Sequence, residues 1–296
     1  MSLPVQLGLN LSSVQPHLVA RYAVLAEQMG FESVWIGEHI CVPIADDWWR
    51  GPEQDAHLGD DPEQAANRRP FDPESPFLDP LVVFAHLAAL TTTLRFGTGI
   101  YMAPLRHPIH LAKLAATADV ISGGRIELGV GLGWLPDEYR NLNVDWARRG
   151  RICDETLACI QTLFADPAPS FAGEFFNFAP IGFQPKPVQS PLPILVGGDS
   201  PAAFRRAGQY ANGWYGAPEH NAKVREQLER FGRADQPFTY SSISVGMVGR
   251  AFLEEAAALG TGRCVVTPWK RHGVGEVGEA GIAELEGWAK TVGLIG

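Results

Sequence analysis

Glu38 and His39 stand side by side at the end of a short β-branched and aromatic run, Ser33-Val34-Trp35-Ile36-Gly37. An imidazole takes up or releases a proton near neutral pH, so a histidine beside a carboxylate suits acid–base work. A histidine satisfied by a backbone carbonyl is the plain alternative, and the position of the pair in the fold decides between them. A metal reading needs several convergent ligands, commonly an H-x-H on the first strand of a barrel, and the first apolar run, Val5–Leu9, ends without histidine. His107 and His110 lie three apart at a helix start without a carboxylate nearby in sequence, so no metal site is expected.

The glycines form the second group. Gly97 and Gly99 interrupt the run Leu94–Ile100, and glycine inside a strand marks a bulge or a place where something approaches the backbone closely. Gly129, Gly131 and Gly133 alternate at spacing two, ahead of Trp134, and so face one side. They leave either a flat surface for a planar ring or the small residues that a narrow barrel needs inside. Neither set completes the G-x-G-x-x-G dinucleotide fingerprint. Gly197-Gly198-Asp199-Ser200-Pro201 runs from a strand into a helix. Free amides at a helix N-terminus hold a phosphate or carboxylate, and Asp199 or Ser200 can cap the same helix with Pro201 in its first turn.

These groups need elements to position them. Short apolar or β-branched runs at Val5–Leu9, Ser33–Ile36, Leu94–Ile100, Arg125–Gly131, Pro193–Gly197, Gly213–Tyr215, Tyr240–Val248 and Cys264–Val266 read as strands. Helix-period segments such as Leu18–Met29, Pro108–Ile121, Arg151–Phe164, Pro201–Tyr210 and Glu219–Phe231 alternate with them, with Gly30, Gly123 and Gly232 placed to end helices. Eight βα units close into a barrel. A doubly wound open sheet would carry the dinucleotide fingerprint after its first strand, where this chain has Gly8-Leu9-Asn10. The expected fold is therefore α/β, a (β/α)8 TIM barrel in one domain over residues 1–296, with insertions after strand 2 and before strand 5. Residues 41–80, rich in Pro, Asp and Trp, follow strand 2 on the face where barrels keep their active sites, and read as a lid or pocket wall; a purely structural insertion is the other reading. Trp48 and Trp49 in that segment seek burial. Residues 165–192 are the second excursion.

Composition narrows the partners. A net charge of −9, with no run of Lys and Arg longer than two, argues against nucleic acid or an anionic membrane and for a small-molecule substrate. The four cysteines are scattered without a C-x-x-C pair, as in a reducing cytoplasm. No export signal and no membrane span is expected.

The segments Asp79–Thr91, Leu94–Pro104, Arg106-His107-Pro108, Ala118–Arg125, Gly129–Glu138 and Pro193–Trp214 together resemble the luciferase-like monooxygenase superfamily, and within it the branch of probable coenzyme F420-dependent oxidoreductases. The resemblance fades beyond Ala217. It implies a cytoplasmic enzyme that holds a deazaflavin or flavin ring at the C-terminal end of the barrel, with homodimers common. It further implies catalytic roles for His39 and Glu38 beside the ring, a non-proline cis peptide at Gly99-Ile100 behind it, and the phosphate tail near Gly197, Gly198 and Asp199. Gly131, Gly133 and Trp134 fall at cofactor-facing positions, and Asp137 and Glu138 match polar cofactor contacts loosely. Sugar-phosphate dehydrogenases of this family carry a Glu where this chain has Trp134, which speaks against glucose 6-phosphate as substrate. The expected reaction is hydride transfer between F420 and a carbonyl, alcohol or conjugated alkene. An FMN-dependent two-component monooxygenase and a flavin-binding relative without turnover are the alternatives.

Overall fold

The structure, a computed structural model, describes residues 3–44, 72–244, 246–269 and 273–296. Eight parallel strands form its centre: β1 (Gln6–Asn10), β2 (Ser33–Ile36), β3 (Arg95–Thr98), β4 (Ile126–Gly131), β5 (Ile194–Gly197), β6 (Gly213–Gly216), β7 (Thr239–Ile243) and β8 (Arg263–Val266). Each pairs with the next, and β8 returns to β1 with Arg263 opposite Gln6, so the sheet closes as the alternating pattern requires.

Helices cover the outer faces, among them α1 (Val19–Met29), α2 (Pro80–Ala88), α3 (Pro108–Ser122), α4 (Pro136–Asn141), α5 (Arg149–Ala165) and α6 (Pro201–Tyr210). Gly30 and Gly123 end α1 and α3 in the left-handed conformation, at φ of 90° and 68°. Glu27 of α1 ties the start of β3 down by accepting the N–H groups of Thr92, Thr93 and Leu94. Desolvation works against its charge, yet these amides hold its carboxyl at about 2.

Two elements differ from expectation. β3 stops at Thr98; a cis peptide follows at Gly99-Ile100, and the chain resumes pairing at Tyr101–Met102 against Val130 and Gly131. β7 ends at Ile243 instead of running on to Val248. The segment before β5 carries a two-stranded hairpin, Phe171–Ala172 with Asn177–Phe178, whose turn is held by Glu155 accepting from Glu174, Phe175 and Phe176. The core of the expected lid, residues 45–71 with Trp48 and Trp49, lies outside the described residues.

The barrel is filled in layers. At its N-terminal end Arg263 meets both oxygens of Glu127 at 2.8 and 2.9 Å and both of Glu32 at 2.8 Å, and Arg95 adds a third link to Glu127 at 2.6 Å. Above it the Trp35 ring stacks on Tyr215 at 4.9 Å. That stack needs glycine around it: a Cβ on Gly97 would lie 2.5 Å from the Trp35 ring, and one on Gly8 at 2.7 Å. Ile100 packs on the next level, against the bare sides of Gly131 and Gly197, where a Cβ would come within 2.8 and 2.9 Å of it. Gly129 is forced to be glycine by the Thr98 carbonyl. Of the alternating glycines, Gly129 and Gly131 serve packing inside a narrow barrel, while Gly133 lies at the cleft. Gly131 and Gly197 accommodate Ile100, and the mouth is floored by that side chain, not by bare glycine.

Candidate active site

Above Ile100, at the C-terminal ends of the strands, opens a cleft. Glu38, His39, Phe77, Ile100, Met102 and Trp134 line it, with Ser12, Gly37, Gly99, Gly133 and Val274. Gly37 closes onto β3, where a Cβ would sit 2.8 Å from the Gly99 carbonyl oxygen, and its N–H donates to Ser12 Oγ at 3.0 Å. Gly133 turns the chain after β4 at φ 71°, a conformation that glycine adopts freely, and so brings Trp134 over the cleft.

His39 leaves β2 into this space. Its ring stands edge-on to Phe77 at 4.9 Å and to Trp134 at 5.5 Å. Its Nδ1 lies 3.0 Å from Glu138 Oε2, and both side chains are nearly sealed from solvent, at 8% and 0% exposure. Glu138 also accepts the Ile40 N–H through Oε1, at 2.6 Å. Sequence reading gave Glu138 only a loose cofactor contact. Its position as the third residue of α4 resembles an ordinary helix cap, and no local signal joins it to a histidine 99 positions away. Its neighbour Asp137 pairs with Arg140.

Glu38, expected beside His39 as an acid–base group, also lines the cleft. Its carboxylate turns to Arg106, accepting from Nη1 at 2.8 Å and Nη2 at 2.7 Å, and takes the Met102 N–H at 2.7 Å. Burial pushes the Glu38 carboxyl up, and the guanidinium with the Met102 amide pull the other way. The two-pronged geometry is that of a carboxylate held by a fork of donors. Arg106 in turn stacks over Tyr101 at 3.9 Å, whose hydroxyl donates to Asp79 at 2.9 Å. Glu38 thus belongs to a buttress that fixes the backbone around Met102.

The structure gathers Glu38, His39, Gly99, Ile100, Gly133 and Trp134 at one cleft and leaves Gly131, Gly197, Gly198 and Asp199 outside its lining. Gly198 adopts φ 113° after β5, and the cap of α6 falls to Ser200, whose Oγ accepts the Ala203 N–H at 3.2 Å. Asp199 is turned instead toward His220 Nδ1, at 3.0 Å. His107 caps α3 by accepting the Ile109 N–H at 3.3 Å.

The model of the luciferase-like monooxygenase family matches residues 1–250. The chain belongs to this family. The match to the luciferase-like model runs beyond Ala217, where the motifs fade, and takes in the last strands less its closing one. An uncharacterized protein of Mycobacterium tuberculosis is 34% identical over 230 residues, 75% of each chain. The FMNH(2)-dependent dimethylsulfone monooxygenase of Pseudomonas putida is 30% identical over 71% of this chain and 61% of its own. The F420-dependent glucose-6-phosphate dehydrogenase of Microbacterium testaceum is 29% identical over 72% and 57%. In fold, this luciferase-like chain resembles an F420-dependent secondary alcohol dehydrogenase, at a TM-score of 0.66, 17% identity and 97% and 91% coverage. Monooxygenase RslO1 of Streptomyces bottropensis gives 0.65, 19%, and 98% and 97%. The named relatives are thus F420- or FMNH(2)-dependent enzymes of this family. Among the described residues no helix is long and apolar enough to cross a membrane.

Proposed function

We propose that this protein is an F420-dependent oxidoreductase that transfers a hydride between the deazaflavin and a small carbonyl, alcohol or conjugated alkene. The observation that carries the reading is His39, a proton-handling group held against a buried carboxylate at the edge of an aromatic cleft. The lining fits a flat ring. Gly37, Gly99 and Gly133 present backbone to it, Ile100 is an apolar floor, and Phe77 and Trp134 are aromatic walls. The cofactor, when bound, supplies the hydride chemistry. Gly99, Ile100, Gly133 and Trp134 would hold its ring, and Gly198 with the start of α6 would hold its phosphate tail. His39 would give or take the substrate's proton, while Phe77 and Trp134 keep water from it. Trp134, at the position where sugar-phosphate dehydrogenases carry an acid, leaves His39 as the proton handler and argues for a substrate other than a sugar phosphate.

An FMN-dependent monooxygenase is the second reading, favoured by the likeness to the dimethylsulfone enzyme. Fluorescence titration of purified protein with each cofactor separates the two. Saturable micromolar binding of F420, with FMN much weaker, is expected. Micromolar binding of FMN without binding of F420 reverses the assignment.

A further inference from the structure

A glutamate at the third position of a helix commonly turns back to cap the first-turn amides. Glu138, the third residue of α4, turns away from its helix toward the chain just past β2, and its side chain is wholly buried there. Its two oxygens divide between two tasks. Oε1 accepts the Ile40 N–H at 2.6 Å and the Cys41 N–H at 3.4 Å, fixing the chain just past β2. Oε2 faces His39 Nδ1 at 3.0 Å.

A buried carboxylate is costly unless its oxygens find hydrogen-bond partners, and here each oxygen has one. An ionised carboxylate can only accept, so a neutral His39 in this contact carries its proton on Nδ1, and Nε2 is the nitrogen that Glu138 does not engage. Among the described residues the ring meets Glu138 at Nδ1 and Trp134 and Phe77 edge-on. We infer that Glu138 is the positioning residue of His39: it selects the Nδ1–H tautomer, sets the ring in the cleft, and offers a counter-charge when a proton reaches Nε2. The inference rests on the reading of His39 as the proton-handling group.

Nitrogen NMR of cofactor-free protein labelled with 15N-histidine tests it, with His39 assigned by the signals missing in His39→Asn. At a pH where the ring is neutral, wild type is expected to show a protonated Nδ1 and a bare Nε2. Glu138→Gln is expected to mix or reverse the tautomers, because a carboxamide donates as readily as it accepts. In the cofactor-loaded protein the same variant should lose about 10- to 100-fold in turnover with cofactor affinity kept. A bare Nδ1 in wild type overturns the inference without needing any variant. So does a folded Glu138→Gln protein whose His39 signals match wild type. F420 titration of the same wild-type sample keeps the two questions apart: no binding there removes the F420 reading and leaves the tautomer assignment as measured.

Discussion

Replacing His39 by Ala is expected to leave F420 affinity nearly unchanged while lowering turnover by about 100- to 10,000-fold, the usual contribution of a positioned acid or base. The split follows from where the ring sits. His39 stands at the edge of the cleft, whereas the floor and walls come from Ile100, Gly99, Phe77 and Trp134. Absorbance of reduced F420, followed against a panel of ketones, aldehydes and enones, reads turnover; fluorescence titration reads binding. Equal losses in both would make His39 a binding residue only. Wild-type protein that binds F420 and turns over nothing on a broad panel would favour a carrier without chemistry.

The largest expected effect on stability lies at the other end of the barrel. Arg263 is 4% exposed and bonds to Glu127 and Glu32 together. Arg263→Met leaves Glu127, itself 5% exposed, with Arg95 alone. Breaking one side of such a buried pair costs about 3–5 kcal/mol, because the remaining charge stays out of water. Urea unfolding near neutral pH should show that loss, and a double variant, Arg263→Met with Glu127→Leu, should recover much of it. A change below about 1 kcal/mol in the single variant would mean that water reaches the network. The loss also depends on pH. Burial works against ionisation of Glu127, yet Arg263 and Arg95 hold its carboxyl below the ordinary value. A carboxyl lowered on folding contributes stability that is fully present above its unfolded value of about 4.3 and disappears as pH falls through the folded value. The difference between wild type and Arg263→Met should therefore narrow in acid.

The barrel was legible because its evidence is local. Strands and helices alternate in the hydrophobic pattern from Val5 onward, Gly30 and Gly123 end helices where glycine tolerates the left-handed turn, and Glu38-His39 falls just past a strand end. What sequence reading missed is pairing across distance. Glu38 and Arg106 are 68 residues apart, and His39 and Glu138 are 99 apart, so nothing in the local sequence shows that these two neighbours take different partners. The glycines stay ambiguous in sequence for a related reason. Their spacing shows that they face one side, but whether a ring or a neighbouring side chain fills that side depends on Trp35 and Ile100, which arrive from other strands. The strand expected to reach Val248 is too long because Met247 and Val248 stay apolar, whereas pairing with β8 is seen as far as the Ser244 N–H, which donates to the Val265 carbonyl.

A crystal structure of the protein with F420 bound tests the central claim most directly. Density for the three-ring system is expected on Ile100 and Gly99 beside Trp134, with the imidazole of His39 within hydrogen-bonding reach of the substrate space beside the ring. Ring density elsewhere on the protein, or an imidazole turned away from the bound ring, would contradict it.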